Sequence, residues 1–276
     1  MSQADFIASD GAFIAYRVDG PENAPVVVLS NSLGTTMNMW SEQVRSLAAD
    51  FRVVRYDSRG HGRSSVPRGN YSMSRLGMDV FELMKSLEVQ KYSFCGISLG
   101  GMVGQWLGVH APERLDGLVL CNTSAFMGPA SWETRMQAVR KGGMKSIAEA
   151  VLDRWFTQEF RQKEPATIAK MLDTFLTIDP EGYSGCCAAI RDMDQRGSVA
   201  AITAPCLVIA GSDDHATPPD HSEFLANSIP SARLETLSTA HLSNVEKSQE
   251  FTHVLQDFLT GYRVRSARLA NYNGRH

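Results

Sequence analysis

The chain has 276 residues, enough for one large core, and its 27 lysines and arginines stand against 30 aspartates and glutamates for a formal net charge of −3. That balance leaves no basic stripe for nucleic acid, and no apolar run reaches the roughly eighteen residues that a membrane-spanning helix needs. Cys95, Cys121, Cys186, Cys187 and Cys206 lie mostly in apolar runs without C-x-x-C spacing, and residues 1–20 carry Asp5, Asp10 and Asp19 with no secretory apolar core. These features predict a reduced, cytoplasmic setting, and nothing in the chain calls for a metal or an organic cofactor.

Apolar runs at residues 13–18, 26–29, 53–56, 92–96 and 118–120 have the length of buried strands. Amphipathic stretches at 39–49, 74–87 and 102–110 predict helices between them, so the class is α/β, with a parallel sheet covered on both faces. From about 125 to 196 the alternation stops and helix-like spacing with many Met and aromatic residues takes over, which predicts a helical cap inserted into the core. Strand signals return at 206–210 and 233–237, and 245–259 predicts a last amphipathic helix. The expected organisation is a core over 1–124 and 197–262, the cap over 125–196, and a tail over 263–276 bearing Arg263, Arg265, Arg268 and Arg275 with no acidic residue.

Gly96-Ile97-Ser98-Leu99-Gly100 falls where the strand at 92–96 runs straight into a helix rich in small residues. A strand-to-helix turn this sharp needs glycine two positions either side of the central residue, and it lifts the central hydroxyl into the open. Ser98 is therefore the candidate nucleophile. A serine hydroxyl needs a base to take its proton and a third group to orient that base. In the chain order that goes with such an elbow, the acid follows a strand after the cap and the histidine follows the next strand. His241, in Thr239-Ala240-His241-Leu242-Ser243-Asn244, has that place. The acid loop Gly211-Ser212-Asp213-Asp214-His215-Ala216-Thr217-Pro218 offers two adjacent carboxylates, of which Asp214 is the choice and Asp213 a loop carboxylate. Asp220, with Glu223 three positions on, reads as a helix N-cap pair. Attack on a carbonyl also requires donors for the developing oxyanion. The Leu99 amide at the helix N-terminus is one, and the Leu33 amide, in Ser30-Asn31-Ser32-Leu33-Gly34 after the buried strand, is the other.

With the elbow, the order Ser98, Asp214, His241 and the intervening cap, the chain resembles the α/β-hydrolase fold superfamily over roughly residues 5 to 262. Asp57-Ser58-Arg59-Gly60-His61-Gly62-Arg63-Ser64 is similar to that family's D-x-R-G-x-G-x-S turn, in which the Asp and Arg are expected to brace loops. The resemblance implies a mostly parallel eight-stranded sheet flanked by helices. A closer resemblance is to the 3-oxoadipate enol-lactonases of bacterial aromatic degradation. It is carried by Leu29-Ser30-Asn31-Ser32-Leu33-Gly34-Thr35-Thr36 through Trp40, and by Trp132-Glu133-Thr134-Arg135 followed by Val139-Arg140-Lys141-Gly142-Gly143-Met144. It implies a small-molecule substrate, a five-membered enol lactone bearing an acetate arm.

For that carboxylate, Arg135 is the candidate partner, with Trp132 three positions earlier on the same helical face as a wall for the ring. Other substrates for the same three residues are those of a general carboxylesterase, a carbon–carbon bond hydrolase or a haloperoxidase-like perhydrolase. A ligand receptor on this fold is a reading of a different class, against which an intact Ser, Asp, His set argues. A dehalogenase or epoxide hydrolase would carry aspartate where this chain has Ser98.

Overall fold

The computed structural model describes residues 2–273, with side chains described for 4–261. The strands are β1 (Ser2–Ile7), β2 (Phe13–Asp19), β3 (Val26–Ser30), β4 (Arg52–Tyr56), β5 (Tyr92–Ile97), β6 (Leu115–Cys121), β7 (Cys206–Gly211) and β8 (Ala232–Leu237). In the first part of the chain they alternate with helices α1 (Ser41–Leu47), α2 (Met73–Ser86) and α3 (Leu99–His110). Between β6 and β7 lie α4 (Pro129–Gly142), α5 (Ala148–Trp155), α6 (Gln158–Lys163), α7 (Pro165–Leu176) and α8 (Pro180–Asp192). The chain ends with α9 (Pro219–Ser228), α10 (Ser243–Glu246) and α11 (Ser248–Asn273). Among the described residues no helix is long and apolar enough to cross a membrane.

All eight strands form one sheet in the order β1-β2-β4-β3-β5-β6-β7-β8. β1 pairs antiparallel with β2, and β2 antiparallel with β4; the remaining pairs are parallel. β5 and β7 are buried along their whole length, which explains their unbroken apolar sequences. β1 escaped the sequence reading because it is an edge strand in which Asp5 and Ile7 are exposed and Ala4 and Phe6 only half-buried, so no apolar run marks it. From β3 the chain goes to β4 on one side and next to β5 on the other, so the loops that leave the carboxyl ends of β3 and β5 diverge. Such a switch of direction opens a crevice at that edge of the sheet. The Leu33 loop follows β3 and Ser98 follows β5.

Three local boundaries differ from the sequence reading. The stretch expected as one helix over 39–49 is a 3-10 turn at Met37–Trp40 followed by α1. The residue capping α9 is Pro218 rather than Asp220, and it makes no side-chain cap hydrogen bond. Pro219 has the dihedral for a first helical position and no amide to satisfy, so the helix begins there and leaves Asp220 in its first turn. The last helix continues in backbone to Asn273, through most of the segment set apart in the sequence as a tail. The side chains of that tail lie outside the described residues. Within 125–196, an isolated antiparallel bridge between Phe126 and Asp194, which no sequence pattern announces, ties the two ends of the helical segment together.

Candidate active site

Ser98 has φ 56° and ψ −115°, a conformation that costs a non-glycine residue about 1–3 kcal/mol. The neighbouring glycines make the turn possible. A Cβ on Gly96 would run into the Gly100 carbonyl, and one on Gly100 would run into the Ser30 carbonyl. Strand, elbow and the loop after β3 therefore touch through bare backbone.

His241, 3% exposed, has its Nδ1 2.8 Å from Asp214 Oδ2. Asp214 Oδ1 accepts the amides of Ala216 (2.8 Å) and Thr217 (2.9 Å), while Oδ2 also accepts Thr217 Oγ1 (2.8 Å) and Asn122 Nδ2 (3.0 Å). Burial alone would raise the Asp214 pKa. His241 and these donors outweigh it and hold the carboxyl at about 2. Of the two adjacent carboxylates, Asp213 faces away, accepting only a bond from Ser212 Oγ at 2.7 Å. Asn122, at φ 44°, was not singled out by the sequence. Its amide links Asp214 to Ala240 O (3.2 Å), and its Oδ1 accepts the Ser243 hydroxyl (2.6 Å), so it braces both loops.

The loop after β3 is pinned by polar contacts. Asn31 Nδ2 donates to Tyr56 O (2.7 Å), and its Oδ1 accepts Trp40 Nε1 (3.0 Å). Three amides around the crevice have protein acceptors: Ser98 N–H on Cys121 O, Gly100 N–H on Asn31 O and Gly34 N–H on His61 Nε2. The amides of Leu33 and Leu99 have none among the described residues. In the Asp57–Ser64 turn, Asp57 accepts the amides of Met37 (2.7 Å) and Arg63 (3.0 Å), and Arg59 grips Asp79 through two bonds of 2.6 Å. Burial lowers the His61 pKa to about 4, so the ring is neutral and free to accept from Gly34.

Ser98, His241, Leu33, Trp132 and Arg135 all line one cavity of about 220 Å³, with Ser32, Met102, Met127, Arg154, Tyr183, His215 and Thr217 also contributing. Ser98 Oγ and His241 share that wall without a direct hydrogen bond between them. The Arg135 guanidinium stacks 4.6 Å above the Trp132 ring. Arg154 and Tyr183 carry no motif and enter the cavity only through the packing of α5 and α8. No group of three or more metal-ligating side chains occurs among the described residues.

Residues 25–142 match the α/β hydrolase fold family. The chain is 38% identical over 253 residues to 3-oxoadipate enol-lactonase 2 of Acinetobacter baylyi, covering 91% of this chain and 95% of that protein. It is 31% identical over 246 residues to a putative carbamate hydrolase RutD of Pseudomonas savastanoi pv. phaseolicola, covering 86% and 94%. It superposes on the crystal structure of the enol-lactonase from Burkholderia xenovorans LB400 with a TM-score of 0.92 at 42% identity, covering 93% of this chain and 100% of that one. With its eight-stranded, mostly parallel sheet and these relatives over nearly its full length, the chain belongs to the α/β-hydrolase fold family of enzymes and is similar throughout to 3-oxoadipate enol-lactonases.

Proposed function

We propose that this hydrolase opens 3-oxoadipate enol-lactone to 3-oxoadipate through an acyl-enzyme on Ser98, as a cytoplasmic step of aromatic degradation. The observation that carries the reading is the Arg135–Trp132 stack on the wall of the cavity that also holds Ser98 and His241, since it sets a carboxylate partner beside the reacting centre. The enol-lactonase relatives support the same substrate. Ser98 Oγ attacks the ring carbonyl while His241 takes its proton. Asp214 fixes the histidine tautomer and stabilises the imidazolium. The Leu33 and Leu99 amides receive the oxyanion. The ring oxygen then leaves as an enol, taking the proton from His241, and the acyl-enzyme is hydrolysed by water that His241 deprotonates, the proton passing to Ser98 Oγ as it departs. The released enol can become a ketone, a poor nucleophile for closing the ring again.

The test follows the ultraviolet signal of the enol lactone with wild-type protein and Ser98→Ala. Rapid decay with the first and none above background with the second is the expected result; an inert wild type overturns the substrate assignment. The RutD relatives favour a second reading, hydrolysis of a small carbamate by the same three residues. It becomes the better one if carbamates turn over and the lactone does not.

A further inference from the structure

Arg135 on α4 and Arg154 on α5 both line the Ser98 cavity, and among the described residues no aspartate or glutamate does. Arg135 is held in place, stacked on Trp132, and shares the cavity wall with Tyr183. Arg154 has no ion pair, side-chain hydrogen bond or ring contact among the described residues. The carboxylates on the same two helices are engaged elsewhere: Glu149 and Asp153 with Arg161, Glu133 with Arg191. Burial and then the charge of Arg135 lower the pKa of Arg154, so the two cations act on each other with no counter-charge on the cavity wall. Two like charges around one cavity are unfavourable until an acceptor-rich anion arrives. A carboxylate, with about four lone-pair sites, can take both.

We propose that Arg154 is a second specificity-determining residue, which together with Arg135 grips the terminal carboxylate of the acyl chain and makes the site selective for esters and lactones of dicarboxylic half-acids. This rests on the proposed attack by Ser98 and on the carboxylate role of Arg135, and it does not require that the natural substrate be the enol lactone.

The experiment compares kcat/KM on the p-nitrophenyl monoester of glutaric acid and on neutral p-nitrophenyl butyrate, for wild type, Arg154→Met, Arg135→Met and the double variant. Arg154→Met should lower kcat/KM on the half-ester about tenfold, mainly through KM, and leave the neutral ester within about twofold. Arg154→Lys should recover part of the loss by restoring the charge. The two single losses should fail to multiply in the double variant, because both arginines serve one carboxylate. An equal loss on both esters, an unchanged half-ester, or losses that multiply would overturn the shared clamp. An enzyme that favours the half-ester through both arginines yet ignores the enol lactone keeps the clamp and loses the lactonase reading; one that opens the lactone with Arg154→Met unimpaired does the reverse.

Discussion

Asp214 receives five donors, and this sets how firmly His241 is held. Substituting asparagine keeps the shape and removes the charge that orients and stabilises the imidazolium. Asp214→Asn should lower kcat by about 10³–10⁴ with little change in folding, measured by steady-state turnover beside a thermal melt. A loss under tenfold would mean that another group, such as the Thr217 hydroxyl 3.4 Å from His241 Nδ1, suffices to hold the ring. Gly100 is the backbone counterpart. Alanine there must displace the Ser30 carbonyl, and with it the loop that carries the Leu33 amide. Gly100→Ala should destabilise by about 1–3 kcal/mol, read from a thermal melt, and reduce kcat more than it raises KM, because the proposed oxyanion donors separate before substrate binding is lost.

The histidine loop is fastened to α5 and α6 on both sides of His241. Leu242 N–H donates to Trp155 O at 3.0 Å, at the end of α5. Glu246 on α10 accepts the Ala240 amide (3.0 Å) and also the hydroxyl of Thr157, the residue that caps α6. One carboxylate thus joins the residue before His241 to the start of a helix outside the sheet layer. Glu246→Ala should speed amide hydrogen exchange at residues 240–242 and 157–160 together and cost about 1–3 kcal/mol of stability. Glu246→Gln, which can still accept one of these bonds, should show a smaller change. Faster exchange on only one side would show that the two elements open independently.

For the molecule as a whole, two buried groups set the acid limit. The His61 pKa is lowered from 6.5 to about 4, so the unfolded chain takes up this proton first as pH falls. The stability from keeping His61 neutral is complete above about pH 6.5, declines as pH drops, and is gone below about 4, a loss on the order of 3 kcal/mol. Asp214, lowered from 3.8 to about 2, acts lower down: its contribution is present above about pH 3.8 and lost as pH falls through about 2. Wild type should therefore lose melting temperature steadily between pH 6.5 and 4, and His61→Gln should show a flatter profile there while keeping an acceptor for Gly34. Parallel profiles would assign the acid sensitivity to other groups. Protonated His61 would also present a donor to the Gly34 amide, so the activity of the folded protein should fall through this group only as pH nears about 4, below most of the range over which stability is lost.

Much of this molecule was legible in its sequence because the relevant physics is local. Continuous apolar runs marked β5 and β7, since strands covered on both faces have no polar side to show. The G-x-S-x-G between a strand and a helix nominated Ser98, because only glycine tolerates the backbone contacts at 96 and 100. Asp214, His241, Leu33 and Leu99 were nominated from their places after strands, Arg135 as partner for the carboxylate of the substrate that the family resemblance implies, and Trp132 from its place three residues before Arg135. What stayed hidden depends on residues far apart in the chain. β1 is half-exposed and strand only by virtue of β2; Asn122 matters only where the loops after β6, β7 and β8 meet; His61 acts on Gly34 from 27 positions away. Arg154 is one more surface-type cation until α5 is packed over the cavity. Local backbone sterics and burial leave a pattern along the chain, whereas the convergence of polar side chains across loops is decided only when the sheet brings their ends together.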